Sequence, residues 1–226
     1  MRLPKALALA ITTAAIGTTV AATPAFAGSI AANWQMDETS GSTMVDSSGN
    51  GNNGTLKNVQ VGLAGPSGGS DRAYGFNGKN STVVVPDQPA PIGTADVSMT
   101  AKVRFGQVPS TAVGDYDLIR GTKGSLYRME IVARSRRTKG LASCRFAGSS
   151  GKFVLTAGPN LADNRWHTIT CAKTSKAVQV VVDGTTYSKA ITIGSIKNNG
   201  PLWIGSKFAA GDWYDGLLDD VSISIG

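Results

Sequence analysis

Nine consecutive residues, Val97–Phe105, alternate without a break: Val97, Met99, Ala101, Val103 and Phe105 on one side, Ser98, Thr100, Lys102 and Arg104 on the other. Successive side chains of a β-strand point to opposite faces, so this segment is a strand with one buried and one wet face. The stretch Ala177–Val182 repeats the pattern and breaks at Asp183-Gly184, a two-residue hairpin signal. Shorter runs follow suit: Ser29–Met36, Thr43–Val45, Ser81–Val85, Tyr116–Arg120, Leu126–Ala133, Gly140–Phe146, Lys152–Thr156, Trp166–Ala172, Thr185–Ile193, Leu202–Gly205 and Leu217–Ile225. Between them sit Gly, Asn, Asp and Pro, at a spacing of about ten residues, and Asn77-Gly78 reads as a further hairpin turn. No window beyond the N-terminal segment carries a helical period. The expected fold is all-β, a two-sheet antiparallel jelly-roll sandwich.

The first 27 residues read as a secretory signal: basic Arg2 and Lys5, an apolar run, then Ala25-Phe-Ala27 after Pro24. The expected mature domain is residues 28–226, 199 of the 226. No later stretch is long enough for a membrane-spanning helix. The net charge of +7 falls to +5 on processing, since the leader carries two basic and no acidic residues. That suits contact with anionic surfaces such as cell-wall polymers and is too small to argue for nucleic acid. Cys144 and Cys171 are the two cysteines, and an even count in an exported chain implies one disulfide.

Asp46–Thr55 (DSSGNGNNGT) is a compact, multiply turned loop, because Gly and Asn accept positive φ and Asp and Asn bond back onto the backbone. Asp46, Asn50 and Asn52 would add side-chain oxygens to its carbonyls, an environment that suits Ca²⁺; a β-connection without an ion accounts for the stretch equally well. In the last strand, Asp219 shares the alternation of Leu217, Val221 and Ile223, which sets its carboxylate at the edge of the core.

Five pieces then fall into one order: Trp34-Gln-Met-Asp-Glu, Asp46-Ser-Ser-Gly-Asn-Gly-Asn-Asn-Gly, Tyr74-Gly-Phe-Asn-Gly, Asn164-Arg-Trp-His-Thr with Val182-Asp-Gly, and Pro201-Leu-Trp-Ile-Gly with Tyr214-Asp-Gly-Leu-Leu-Asp-Asp-Val. The set resembles the laminin-G-like, concanavalin A-like lectin/glucanase jelly rolls of secreted bacterial proteins, over residues 30 to 226. The resemblance implies adjacent first and last strands with a structural Ca²⁺ near their junction, held by Asp37, Asp46, Asn50, Asn52 and Asp219.

Catalytic patterns are missing. His167 is the single histidine, placed inside a strand, and no nucleophile elbow accompanies it. The family's Glu-x-Asp-x-x-Glu strand has no counterpart, and Glu38 and Glu130 are the only glutamates. The expected function is a secreted, non-catalytic carbohydrate- or cell-surface-binding module. The alternatives are a protein-interaction module docking through its basic hairpin or a sheet edge, and a glycan-active enzyme. Trp213, Tyr214, Trp203 and Tyr116 are the aromatic candidates for stacking on sugar. Arg134, Arg136, Arg137 and Lys139, near Arg128 and Arg145, are the candidates for an anionic glycan, since guanidinium groups grip sulfate or carboxylate in pairs of hydrogen bonds.

Overall fold

The computed structural model describes residues 28–87, 89–121, 126–208 and 210–226. The expected leader lies outside the described residues. The strands are β1 (Ser29–Trp34), β2 (Thr43–Met44), β3 (Gly54–Lys57), β4 (Gln60–Ala64), β5 (Arg72–Asn77), β6 (Thr82–Val85), β7 (Val97–Arg104), β8 (Tyr116–Arg120), β9 (Tyr127–Arg134), β10 (Lys139–Gly148), β11 (Gly151–Ala157), β12 (Trp166–Lys173), β13 (Ala177–Val182), β14 (Thr185–Ala190), β15 (Leu202–Ile204) and β16 (Asp215–Ile225). Among the described residues there is no helix.

They form two antiparallel sheets. The first runs β14-β13-β12-β7-β16-β5-β4, with β1 also paired to β16; the second runs β11-β10-β9-β8-β15-β6-β3-β2. The first and last strands are therefore neighbours, as expected. Alternation sends Met99, Ala101 and Val103 of β7 inward against Met129 and Ile131 of β9 and Cys144 and Phe146 of β10, all of them buried. The disulfide forms between Cys144 on β10 and Cys171 on β12, Cα atoms 5.4 Å apart, and so ties one sheet to the other. Closing a loop of 27 residues stabilises the fold by about 3 to 4 kcal/mol in the chain-entropy treatment.

Two turns differ in outcome. Asp183 and Gly184 both take positive φ (48° and 80°) and join β13 to β14 as a two-residue hairpin. Asn77-Gly78 is instead a crossing point, because β5 and β6 belong to different sheets. There the Asn77 carboxamide oxygen accepts from the amides of Lys79 and Asn80, at 3.0 and 3.1 Å, which turns the chain without pairing the strands.

The face of Asp219 also differs. It pairs with Lys102, whose neighbours Ala101 and Val103 are core residues, so both point to the outer side of the first sheet. A bulge follows, with Asp220 at φ 45°, and returns Val221 and Ile223 to the core. One extra residue inverts the alternation that the sequence pattern carries across it.

His167 is clamped between two carboxylates, Nδ1 to Asp183 at 2.7 Å and Nε2 to Asp163 at 3.0 Å. Burial pulls its pKa down, but the hydrogen bonds and charges of Asp183 and Asp163 outweigh that and raise it above the ordinary value. A raised folded pKa stabilises most below the unfolded value of about 6.5, and the contribution is lost as pH climbs through the folded value. His167→Gln is therefore expected to lower the urea midpoint clearly near pH 6 and much less near pH 9. An equal loss at both would show that the clamp contributes no charge interaction.

Candidate functional site

On the outer side of the second sheet, one rung of residues crosses seven strands in register. Thr55 pairs with Val84, Val84 with Trp203, Trp203 with Arg120, Arg120 with Arg128, Arg128 with Arg145, and Arg145 with Val154. Cross-strand partners lie about 5 Å apart at their Cβ atoms, so three guanidinium groups stand side by side beside an indole. The next rung carries Asp117, Glu130, Ser143 and Thr156.

The acids hold the arginines. Arg120 donates through Nε to Asp117 and lies 3.6 Å from Asp212, and its guanidinium covers the ring of Phe208 at 5.3 Å. Trp203 meets the same ring edge-on, centroids 6.2 Å apart. The segment after β15 thus folds over Arg120 and leaves it buried. Arg128 pairs with Glu130 at 2.8 Å. From there a relay runs outward: Ser143 donates to Glu130, Thr156 to Ser143 (3.1 Å), and Arg134 to Thr156 (3.4 Å). Arg145 has no ion pair among the described residues, and its Nε is buried without a hydrogen-bond partner there. Burial, then the neighbouring Arg128, lowers its pKa, which Glu130 only partly offsets.

Burial raises the pKa of Glu130 to about 7 and that of Asp117 to about 6, against the downward pull of Arg128 and Arg120 respectively. These two carboxylates face each other across β8 and β9, yet both are buried and each serves an arginine. They buttress the basic rung. Alternation brings Arg134, Lys139 and Lys152 onto the same side, so the face is strongly basic.

The expected ligand residues divide accordingly. Trp203 lies half-buried on this face, and Arg134 and Lys139 lie at its end. Arg136 and Arg137 occupy the exposed tip beyond, where Ser135, Arg136 and Arg137 all take positive φ and Arg137 donates to the Pro109 carbonyl at 2.8 Å. Trp213 is half-buried in the segment entering β16. Tyr214 and Tyr116 require correction, being core residues that no sugar reaches. Tyr214 is fully buried, its ring 5.6 to 6.1 Å from those of Tyr116, Phe76 and Phe105, and its hydroxyl donates to the Leu217 and Arg104 carbonyls. A chain entering a sandwich end must plug it with something apolar, and Tyr214 takes that place. Arg120 is the residue the sequence reading missed; Arg128 and Arg145 were seen only as basic neighbours of the hairpin tip, and register makes them the centre of the face. The signal available was a basic side chain in each of three successive strands, β8, β9 and β10.

The five residues expected to hold Ca²⁺ are not brought together, and among the described residues no three His, Cys, Asp or Glu side chains form a metal cluster. The Asp46 carboxylate is saturated, accepting from the amides of Asn33, Ser48 and Asn52 and from the Asn52 side chain at 2.9 to 3.1 Å. Asn50 and Asn52 spend their amide nitrogens on the carbonyls of Ile30 and Ala31. That loop is closed by its own hydrogen bonds and does not fit an ion. Asp219 differs: it is fully buried, neither carboxylate oxygen has a hydrogen-bond partner among the described residues, and Lys102, opposite it in register, is bonded to Asp220. Burial, with the charges of Asp220 and Asp71 adding to it, raises its pKa to about 7. Asp37 accepts from the Arg72 amide at 2.8 Å, next to Asp71, whose charge acts on Asp219.

No curated protein matches the chain. Solved structures do. Domain 4 of the extracellular arabinanase AbnA from Geobacillus stearothermophilus, solved with arabinotriose, aligns with a TM-score of 0.61 at 19% identity, over 88% of this chain and 93% of that one. The botulinum neurotoxin serotype D binding domain aligns at 0.59 and 13%, over 87% of this chain and 48% of that one. Trypanosoma rangeli sialidase in complex with sialic acid aligns at 0.62 and 13%, over 87% and 30%. The chain thus spans nearly all of the arabinanase domain but less than half of the other two. At these identities the likeness shows the fold, which both binding domains and glycoside-cleaving enzymes contain. Residues 77–224 match the laminin-G-type family described as the concanavalin A-like lectin/glucanases superfamily, and the chain belongs to that family.

Proposed function

We propose that this protein is an exported carbohydrate-binding module that takes acidic glycan chains on the outer face of its second sheet. The observation that carries the reading is the rung Trp203, Arg120, Arg128, Arg145, in which Arg128 and Arg145 stand in register with one shared acid, Glu130. Like charges directly opposite repel, and a carboxylate or sulfate bridging the two guanidinium groups relieves that repulsion while forming charge-assisted hydrogen bonds. The half-buried Trp203 at the other end of the rung supplies an apolar surface for a sugar ring. The disulfide and the family agree with an extracellular setting. Of the solved relatives, one was crystallised with arabinotriose and one with sialic acid, an acidic sugar, which supports a glycan as the ligand class.

The test is retention on immobilised polygalacturonate and on neutral xylan, across about 0.05 to 0.5 M salt, because exposed charge contacts fade as the Debye length shrinks. Retention on the acidic polymer at low salt, with release as salt rises, is the expected result. Equal retention on both, or on neither, contradicts it; capture by an acidic protein alone would turn the same arginines into a docking surface.

We also propose a structural Ca²⁺ at Asp219, with Asp37 beside it. The ion would add positive charge to a buried carboxylate whose cationic neighbour, Lys102, is bonded to Asp220. Adding Ca²⁺ to chelated protein should raise the melting temperature by several degrees, and Asp219→Asn should remove the response. No rise in the unmodified protein contradicts the site.

A further inference from the structure

A second rung crosses the outer side of the other sheet. Gln60 pairs with Gly75, Gly75 with Leu217, Leu217 with Arg104, and Arg104 with Trp166. The alternation of each strand sets these residues outward, since Tyr74, Phe76, Val103 and Leu218 beside them are buried. Trp166, which reads as a core residue from its strand position, is half-buried on this face. Gly75 lets side chains close over the backbone in the middle: a Cβ there would stand 2.7 Å from Leu63 Cδ1, 3.5 Å from Gln60 Cβ and 3.7 Å from Leu217 Cδ2, so Leu63 and Leu217 form an apolar floor across it. Over this floor lie two adjoining cavities of about 490 and 480 Å³, which share Leu63, Asp215, Gly216 and Leu217. That size is typical of small-ligand sites.

The chemistry of the groove differs from that of the basic face. Arg104 is braced by the Asn164 carbonyl and carboxamide oxygens at 3.0 and 3.2 Å, and the exposed Asp215 lines the same cavity. The side-chain amides of Gln60 and Gln107 have no partner among the described residues and border the cavities. An apolar leucine floor, free amides at the rim, and an indole in register beside Arg104 of the cavity wall match a ring that is apolar on its faces and hydroxylated at its edge. We infer that this groove is a second glycan site, selective for a neutral oligosaccharide and independent of the acidic-glycan face. It goes beyond the function proposed above and makes the module bivalent, with two sites on opposite sides of the sandwich.

The experiment is NMR titration of the mature protein at about 0.5 M salt, where charge contacts on the basic face are screened, with cellohexaose, xylohexaose and maltohexaose in turn. At least one should bind and perturb the Trp166 indole and the Gln60 amide. Trp166→Ala should weaken that binding at least tenfold. Gln60→Ala, at an exposed position that the core does not use, should weaken it several-fold with an unchanged melting temperature. Arg128→Met with Arg145→Met should leave it unchanged. Absence of binding by all three sugars at millimolar concentration overturns the inference, as does binding that survives both Trp166→Ala and Gln60→Ala. Binding lost in the Arg128/Arg145 variant overturns it too, by moving the neutral sugar to the other sheet. Retention on polygalacturonate by Gln60→Ala keeps a failure here separate from a failure of the acidic-glycan reading.

Discussion

Replacing Arg128 and Arg145 together by methionine should weaken binding to an acidic polysaccharide by at least a hundredfold while moving the melting temperature by only a few degrees. Each guanidinium offers a charge-assisted contact worth about 1.5 to 3 kcal/mol, and two such contacts convert to a factor of a hundred or more in affinity. The small effect on folding follows from the same geometry. Arg145 has no hydrogen-bond partner at Nε, and its closest basic neighbour, Arg128, repels it. Methionine keeps the aliphatic stem that packs on the sheet. Glu130, deprived of Arg128, already has a pKa raised to about 7 and sheds its charge by protonating. Titration calorimetry against trigalacturonate, alongside a melting curve, reads both quantities. Unchanged affinity in the double variant would remove the rung from the site.

Gly205→Ala should cost roughly 2 to 5 kcal/mol of stability, the sum of a left-handed backbone penalty and overpacking. Gly205 sits at φ 79°, just after β15, and an added Cβ would lie 2.1 Å from Cε1 of Phe76. Phe76 cannot retreat easily, because it packs against Tyr214 in the cluster that closes this end of the sandwich. The Gly205 amide donates to Leu118 on β8 and its carbonyl accepts from Tyr214, so a shift of this residue also shifts the segment that covers Arg120. Gly41→Ala is the matched control: φ is 93° there, but nothing lies within 4 Å of the new atom, and the cost should fall to about 1 to 2 kcal/mol. Urea midpoints for the two variants separate the steric part from the backbone part.

These expectations show which features the sequence made legible. Strict alternation in Val97–Phe105 and Ala177–Val182 placed β7 and β13 almost to the residue, and parity of cysteines, read with an expected leader, gave the bridge that ties the sheets. The pieces that escaped lie where a local rule is broken. Strands β3 and β4 are embedded in Gly- and Asn-rich sequence that reads as loop; they are strands because β6 and β5 supply partners. The side taken by Asp219 depends on a bulge at Asp220, and nothing in the order of residues marks one extra position. The basic cluster was visible as composition around Arg134–Lys139, but its centre at Arg120, Arg128 and Arg145 emerges only from cross-strand register, a property of pairing between distant segments. Tyr116 and Tyr214 failed for the complementary reason: their environment is set by Phe76 and Phe105, which are far away in the chain.

The most direct test of the acidic-glycan face is a residue-resolved NMR map of the protein with trigalacturonate at low salt. The account predicts perturbations on β8, β9, β10 and β15, strongest at the Arg128 and Arg145 side chains and the Trp203 indole, and little change on the first sheet. Perturbations confined to Arg136 and Arg137 at the hairpin tip, or spread over the first sheet, would contradict it.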